Sequence, residues 1–388
     1  MKKRLFKIAA AVFMAAICAS CAHGTVDDMQ ENDVRENIVN ADEPRADRVD
    51  ELLNDMTLEE KIYQMFIIRP ESIVDAGTVI QAGDATKAAL KEYPVGGIIY
   101  GADNLIDTEQ TKTMIENVKS YSQIAPFISV DEEGGLVARV AQKLGTTKFE
   151  PMYTYKDGGA QTANEIYTTI AKDIKPLGFN LDFAPVADVW TNRDNQVIGT
   201  RAFSDEPNQA AEMVGTAVKG LQDNGVCAAI KHFPGHGNTE GDSHMGFVYT
   251  SKTLDELREC EFVPFEEGIN AGADFVMAGH IIVTEVDDVP ATLSHRLITD
   301  ILKGELGYGG LIITDGMEMG AIADNYTSAD AAVMTVQAGC DVILEPSNFT
   351  ESADALIAAV RNGTITEERI NESVRKILEC KIKRGIIE

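Results

Sequence analysis

The sequence has 388 residues, of which 44% are hydrophobic and 25% charged, and its formal net charge at pH 7 is −28. This length and apolar content allow one large domain or two small ones. The negative charge argues against nucleic acid, or the anionic face of a bilayer, as a partner, because either would repel the protein.

The amino-terminal residues resemble a bacterial export signal. Four basic residues precede an apolar segment, residues 8–17, that is too short to cross a bilayer as a mature helix. Ala19-Ser20-Cys21 resembles a lipoprotein processing site, although Cys18 stands where Leu is usual. We therefore expect a signal peptide over residues 1–21, a lipid on Cys21 and an acidic linker over residues 22–44. The protein would be exported and anchored; cleavage near Ala22 with simple secretion is the alternative.

Beyond the linker, the pattern predicts alternating helices and strands. Residues 45–54 read as a helix, and Thr57 with Glu60 forms a capping box that starts another. Eight apolar runs follow, each long enough for a fully buried strand. They are Met65–Ile68, Val95–Tyr100, Pro126–Val130, Leu181–Val186, Val226–Ile230, Phe275–Ala278, Gly310–Thr314 and Asp341–Leu344. Helical stretches lie between most of them, so the prediction is a single (β/α)8 barrel over residues 45–388 without a second α/β sandwich domain.

The carboxyl-terminal segment is predicted to be helical. Residues 353–361 have an amphipathic period, and Asn362-Gly363 should close this helix. Thr364 with Glu367 is predicted to cap a last helix that runs to about Lys383.

Polar residues follow six of the eight runs, where each predicted strand ends. They are Asp131-Glu132-Glu133, Asp188, Lys231-His232, His280, Asp315 and Glu345. Because the active sites of such barrels lie at the carboxyl ends of the strands, this placement indicates an enzyme. It does not indicate which one.

Lys231 and His232 begin the most polar stretch of the chain. Adjacent strand residues point to opposite faces, so a twist or bulge is needed for both side chains to reach one cavity. Asp242 and His244 lie on the following glycine-rich loop, where the carboxylate can accept the imidazole N–H and leave the other ring nitrogen free to move a proton. A surface His beside an Asx-turn is the structural alternative. We expect this loop to be mobile without a ligand, because three glycines follow Pro234.

Three further positions could carry chemistry. Asp315 emerges from an apolar strand and could be a nucleophile, a metal ligand or a helix cap. Asp131 with Arg139 could recognise sugar hydroxyls, or could be a structural ion pair. Arg201 is a base on a loop after a strand. His236 and His280 are assigned no role.

The cysteines and acids do not suggest a metal or a cofactor. Four cysteines lie outside the export segment, and they have no CxxC or Cys/His spacing typical of zinc. We expect them to be buried free thiols. They are Cys227, Cys260, Cys340 and Cys380.

With these residues placed, the chain resembles glycoside hydrolase family 3, and within it the bacterial β-N-acetylglucosaminidases, from about Met56 to Arg384. The matching motifs stand in the family's order. They are Met56-Thr-Leu-Glu-Glu-Lys61, Val95-Gly-Gly97, Val130-Asp-Glu-Glu-Gly-Gly135, Asn180–Val189, Ile198-Gly-Thr-Arg201, Lys231-His-Phe-Pro-Gly-His-Gly237, Asp242-Ser-His244, Pro290-Ala-Thr-Leu-Ser294 and Ile313-Thr-Asp-Gly-Met-Glu-Met319.

The resemblance implies a role for each candidate. Asp315 would be the nucleophile that forms a covalent glycosyl-enzyme, and His244, held by Asp242, would be the general acid/base. The residues that bind the non-reducing sugar would be Asp131, Arg139, Arg201, Lys231 and His232. The branch with an Asp-His dyad needs no acid from an added domain. Gly316 departs from relatives that often carry a second Asp beside the nucleophile.

The resulting hypothesis is a retaining exo-β-N-acetylglucosaminidase that acts on terminal β-linked N-acetylglucosamine, in cell-wall fragments or other glycans. We expect a monomer without a cofactor, with a carbohydrate as its partner. The alternatives are a β-N-acetylglucosaminide phosphorylase of the same family, a single-domain β-glucosidase, and an inactive surface lipoprotein that only binds glycans.

Overall fold

The structure, a computed structural model, describes residues 43–388, with side chains from Asp47 onward. The expected signal peptide, the lipid site at Cys21 and nearly all of the linker lie outside the described residues. Within the part that is described, no helix combines the length and the apolar character needed to cross a membrane.

Eight parallel strands form a barrel, and each predicted run overlaps one of them. The strands are β1 (Phe66–Ile68), β2 (Gly97–Ile99), β3 (Phe127–Val130), β4 (Leu181–Asp182), β5 (Cys227–Phe233), β6 (Phe275–Ala278), β7 (Leu311–Thr314) and β8 (Ile343–Leu344). Neighbouring strands pair in chain order, and β8 pairs back onto β1. A parallel bridge between Ile313 and Val342 joins β7 to the start of β8 and closes the ring. The predicted (β/α)8 barrel is confirmed.

Most strands differ in length from their predicted runs, and the differences in β4 and β5 affect the site. Strand β4 ends at Asp182, because Pro185 has no N–H to donate to a ladder. Strand β5 extends to Phe233, so Lys231 and His232 lie inside it. The pairing of β5 with β6 shifts register between Lys231 and Phe233, as expected if both side chains are to reach one cavity.

Helices surround the barrel. They are α1 (Glu43–Asp55), α2 (Leu58–Gln64), α3 (Asp84–Glu92), α4 (Thr108–Tyr121), α5 (Arg139–Leu144), α6 (Gly159–Ile174), α7 (Pro207–Gln222), α8 (Leu254–Glu259), α9 (Phe262–Asn270), a π-helix (Arg296–Glu305), α10 (Gly320–Ala323), α11 (Ser328–Ala338), α12 (Phe349–Arg361) and α13 (Glu367–Lys383). The capping box of Thr57 and Glu60 starts α2 as predicted, and Thr253 with Glu256 forms a second one at α8.

The predicted cap of the last helix was wrong by two residues. Thr366, not Thr364, precedes α13, and its hydroxyl accepts a hydrogen bond from the backbone N–H of Arg369. Both positions hold Thr, and the local pattern does not distinguish them. The backbone of residues 362–365 decides, because Asn362 and Gly363 first end α12 and Thr364 N–H then bonds to the Asn362 side chain.

The strands are buried along their whole length, which leaves the two ends of the barrel for chemistry. All four residues of β3, β6 and β7 are buried, and Phe127 packs edge-on against Phe275 at 5.2 Å between ring centroids. Side chains at the carboxyl ends of the strands therefore define the wall of any site at the mouth.

Candidate active site

A cavity of about 260 Å³ opens at the carboxyl ends of the strands. It is lined by seven of the eight candidate residues from the sequence analysis. The eighth, Asp242, contacts His244. The seven are Asp131, Arg139, Arg201, Lys231, His232, His244 and Asp315. Its size is at the small end of ligand-binding pockets and suits one sugar unit.

The floor of the cavity is a network of buried ion pairs. The Lys231 ammonium lies 2.7 Å from a carboxylate oxygen of Asp131 and 2.7 Å from one of Glu133. Arg201 forms a two-pronged contact with Glu133, at 2.8 and 2.7 Å. Burial alone would raise the pKa of Glu133, but Arg201 and Lys231 lower it well below its ordinary value. Glu133 therefore stays ionised and holds both bases in place.

The predicted ion pair between Asp131 and Arg139 was wrong. Asp131 pairs with Lys231 instead, and the contact between Asp131 and Arg139 is a hydrogen bond from the Arg139 N–H to the Asp131 carbonyl. Among the described residues, no carboxylate forms an ion pair with the Arg139 guanidinium, which faces the cavity. The eight-residue spacing brings the two backbones together, whereas Lys231 reaches Asp131 from a different strand.

His232 is held by a buried carboxylate that the sequence analysis did not assign. Its Nδ1 lies 2.7 Å from Asp188 Oδ2, and a carboxylate only accepts hydrogen bonds, so Nδ1 carries a proton. Asp188 Oδ1 also accepts the N–H of His236, at 2.6 Å. Asp188 follows one of the predicted strands, and this position was the signal that could have identified it as a site residue. Glu133 also follows a predicted strand, in the same motif as Asp131.

Asp315 follows β7 and is partly exposed to the cavity. Its Oδ1 accepts the N–H of Gly316 at 2.8 Å. Burial raises the pKa of this carboxyl, but the imidazole of His232 and the Gly316 hydrogen bond lower it, and the net effect is a pKa below the ordinary value. The group is an ionised carboxylate at neutral pH, as a nucleophile must be.

His280, to which no role was assigned, supports the turn after Asp315. It is fully buried, and its Nε2 lies 2.8 Å from the Gly316 carbonyl oxygen. Its Nδ1 lies 2.9 Å from the hydroxyl of Thr292. Burial lowers the pKa of His280, so it is a neutral donor that fixes the backbone beside Asp315.

The expected contact between Asp242 and His244 is present. His244 Nδ1 lies 2.8 Å from Asp242 Oδ1, and the same oxygen accepts the His244 N–H at 3.0 Å. Burial raises the pKa of Asp242, but its hydrogen bonds with His244 lower it, so the carboxylate is ionised. The Nε2 atom of His244 is left free on a side chain that is 65% exposed.

The loop that carries this dyad rests on α10, the first helix after Asp315. Gly320 N–H donates to the carbonyl of His244 at 3.3 Å, and Ala321 N–H donates to that of Ser243 at 3.1 Å. These bonds attach the dyad loop to the segment that follows Asp315. Mobility of the loop without a ligand stays a prediction.

A cluster of possible metal ligands lies at the opposite end of the barrel. The ligand atoms of Cys227, Asp274 and Cys380 are within 4.8 Å of one another. Asp274 is already bound by Arg384 at 2.6 Å, and burial raises the pKa of the Cys227 thiol well above its ordinary value. A thiol of this kind and an occupied carboxylate do not favour a cation.

Cys260 is only half-buried, unlike the other three cysteines, so the expectation of four buried thiols was wrong for it.

Comparisons with known proteins agree with this architecture. The model of the glycosyl hydrolase family 3 N-terminal domain matches residues 57–380. β-Hexosaminidase A of Pseudoalteromonas piscicida is 32% identical over 76% of the chain, and the chain spans about half of that relative, 54%. β-Hexosaminidase LpqI of Mycobacterium tuberculosis is 31% identical over 83% of the chain and 82% of its own length.

A solved structure gives the same result. The family 3 β-N-acetylglucosaminidase from Paenibacillus sp. strain FPU-7 is 36% identical and superposes with a TM-score of 0.80, over 85% of this chain and 63% of that one. Because the family model matches most of the chain, and the barrel and its motifs agree with it, this protein belongs to glycosyl hydrolase family 3.

Proposed function

We propose that this protein is a retaining exo-β-N-acetylglucosaminidase that hydrolyses terminal β-linked N-acetylglucosamine. The observation that carries the proposal is one cavity that holds an ionised carboxylate, Asp315, together with an imidazole, His244, braced by Asp242. Relatives that are named β-hexosaminidase or β-N-acetylglucosaminidase support the choice of sugar.

The chemistry follows from these two groups. In the first step Asp315 attacks the anomeric carbon, and the free Nε2 of His244 donates a proton to the departing oxygen. Asp242 stabilises the imidazolium and fixes its tautomer, as the acid of a catalytic triad does. In the second step His244 accepts a proton from water, which attacks the same carbon and displaces the Asp315 carboxylate. Two inversions leave the product with its original β configuration.

The floor of the cavity would bind the sugar through its hydroxyl groups. Asp131 remains partly exposed, so it can accept hydrogen bonds while Lys231 holds it. Arg139 offers donors that other side chains in the described part of the chain do not occupy, and His232 lines the same cavity. The small volume of this pocket favours cleavage at the end of a glycan.

The test is a panel of aryl β-glycosides with and without inorganic phosphate. We expect turnover of the N-acetylglucosaminide with release of β-N-acetylglucosamine, followed by proton NMR before mutarotation. Formation of a sugar 1-phosphate would instead identify the phosphorylase, and preference for the aryl glucoside would identify a β-glucosidase.

The substitution Asp315→Asn should reduce turnover by roughly 10⁴-fold or more, because no other group can form the covalent intermediate. Asp354→Asn, at an exposed position on α12 outside the cavity, is the matched control and should keep full activity. Near-normal turnover by Asp315→Asn would refute the mechanism, and binding without turnover by the unmodified protein would favour a glycan-binding protein.

We also propose that the protein is exported and carries a lipid on Cys21. In a bacterial host, Cys21→Ser should move the full-length protein from the membrane fraction to the soluble one. An unchanged distribution would contradict the lipid assignment.

A further inference from the structure

One buried acid beside the cavity has no part in the proposed mechanism. Glu132 stands between Asp131 and Glu133, whose carboxylates contact Lys231 in the floor. Glu132 itself is only 3% exposed and is not one of the residues that line the cavity. Because neighbouring side chains of a strand point to opposite faces, the carboxylate of Glu132 lies on the side of the strand away from the floor.

The Glu132 carboxylate binds the first turn of α5, the helix that begins at Arg139. One of its oxygens accepts the N–H of Val140 at 2.6 Å, and the other accepts the N–H of Ala141 at 3.0 Å. The residue before the helix is Ala138, whose side chain makes no capping hydrogen bond. Glu132 therefore takes the place of the missing cap, and its negative charge is also favourable at the positive end of the helix dipole.

The backbone of Glu132 is held at the same point. Its N–H donates to Asp182 Oδ1 at 2.9 Å, and Asp182 is buried at the end of β4. Glu132 also pairs with Ala138 in a short antiparallel sheet. One residue thus connects the ends of β3 and β4 to the start of α5.

Arg139 depends on this connection for its position. Its side chain lines the cavity, and within residues 47–388 no other side chain forms a hydrogen bond or an ion pair with the guanidinium. Its N–H donates to the carbonyl of Asp131 at 3.3 Å. The backbone at the start of α5 therefore sets where the guanidinium can reach, and this helix has only six residues, too few to be stable without support.

The buried carboxylate reduces stability at neutral pH. Burial raises the pKa of Glu132 to about 7, although the bonds from Val140 and Ala141 and the charge of Arg139 lower it. Because this pKa is higher in the folded protein than in the unfolded chain, stability falls as the pH rises from the ordinary carboxyl value through about 7. Such a cost is common for ionisable groups that serve a site.

We propose that Glu132 is a positioning residue, which caps α5 and so holds the Arg139 guanidinium in the cavity before the sugar binds. The inference rests on the proposed function, in which Arg139 binds the sugar. Glu132 does not touch the substrate. It acts through Arg139, because a guanidinium that is already in place loses less freedom when it binds.

A double-mutant cycle tests this role. Glu132→Met removes both acceptor oxygens at a similar side-chain length, and Arg139→Met removes the guanidinium. Each substitution alone should lower kcat/KM for an aryl β-N-acetylglucosaminide by roughly tenfold, mainly through a higher KM, because a charged hydrogen bond to the sugar is weakened or lost. The double variant should be within about twofold of Arg139→Met, because both residues act through one contact.

Two further variants separate positioning from folding. Glu132→Gln keeps one acceptor oxygen and should lower kcat/KM by only about threefold; it replaces Glu132→Met in the cycle if that variant does not fold. Asp341→Asn changes another buried carboxylate, which accepts the N–H of Ile312 at the amino-terminal end of the barrel. It should lower the urea midpoint and leave KM unchanged.

The positioning role is overturned if the substitution of Glu132 lowers kcat/KM as much in the Arg139→Met background as in the unmodified enzyme. A loss of stability at Glu132 with an unchanged KM would overturn it as well. If the unmodified enzyme turns over an aryl glucoside and not the N-acetylglucosaminide, the proposed function fails, and the same cycle on the glucoside still tests Glu132. Turnover of neither substrate would reject both proposals.

Discussion

The cavity is built from two regions that are held in different ways. The floor consists of Lys231 on strand β5, Glu133 just after β3 and Arg201 on the loop after β4, and its charges are buried and mutually paired. The dyad of Asp242 and His244 stands on a loop, is largely exposed, and is attached to the barrel by backbone hydrogen bonds to α10. The floor combines binding with stability, whereas the dyad can serve chemistry with little effect on folding.

The largest expected effect comes from breaking the floor. Glu133→Gln leaves Arg201 and Lys231 buried with reduced compensation, so we expect the free energy of unfolding to fall by about 3–5 kcal/mol and turnover to be nearly lost. Urea denaturation and kcat/KM measure the two effects. Glu212→Gln, at an exposed position on α7, is the control; a variant as stable as this control would show that the floor does not support the fold.

The pH dependence of the floor has a definite sign. The pKa of Glu133 is lower in the folded protein than in the unfolded chain, so its stabilising contribution is present above the ordinary carboxyl pKa and is lost as the pH falls. The unmodified protein should therefore lose more stability than Glu133→Gln on acidification. Parallel acid titrations of the two proteins, followed by circular dichroism, would detect this difference.

Breaking the dyad should separate activity from stability. His244→Ala should lower kcat by roughly 10²–10⁴-fold for substrates with a poor leaving group, because general acid catalysis is lost. The loss should be much smaller for a dinitrophenyl glycoside, whose leaving group departs without a proton. The melting temperature should stay unchanged, and a large drop would show that the loop is part of the folding core.

A buried amine that has no counter-ion among residues 47–388 sharpens the contrast with the paired floor. Lys381 is fully buried, hydrogen-bonds Gln64 at 2.9 Å and lies 5.2 Å from the ring centroid of Phe127. Burial lowers its pKa to about 7, so the unfolded chain binds more protons than the folded one between about pH 7 and the ordinary Lys value. The stability cost is complete below about pH 7 and disappears as the pH rises.

Replacement of this amine should therefore stabilise the protein at low pH. We expect Lys381→Met to raise the free energy of unfolding by roughly 1–3 kcal/mol at pH 6, after allowance for the lost hydrogen bond, and by less at pH 10. Urea midpoints of both proteins at the two pH values provide the measurement. A variant that is less stable than the unmodified protein at pH 6 would contradict the reasoning.

The smallest expected effect concerns the helix cap whose position was predicted wrongly from the sequence. Thr366→Ala should cost about 1 kcal/mol, because α13 loses a hydrogen bond at its first turn. Thr364→Ala is the matched control and should cost less, since its hydroxyl does not cap α13. Equal losses of stability for the two variants in thermal melts would contradict the assignment of Thr366 as the cap of α13.

The barrel and the list of candidate residues could be predicted because both follow from local pattern. Eight apolar runs specify buried strands, and polar residues placed just after them meet at one mouth through the geometry of a parallel barrel. Asp315, Lys231 and His232 were found in this way. The dyad was also predictable, since Asp242 and His244 are two residues apart on one loop.

The partners of these residues depend on tertiary structure. Lys231 pairs with Asp131 and Glu133, which follow a different strand, and Asp188, which follows the neighbouring strand β4, contacts His232. The sequence showed each of these charged groups but not the distances between them. For this reason the side chain of Asp131 was wrongly predicted to pair with Arg139. Local pattern determines which residues form strands and which reach the mouth; the closure of the barrel alone decides which charges meet, because electrostatic pairing depends on separation in space.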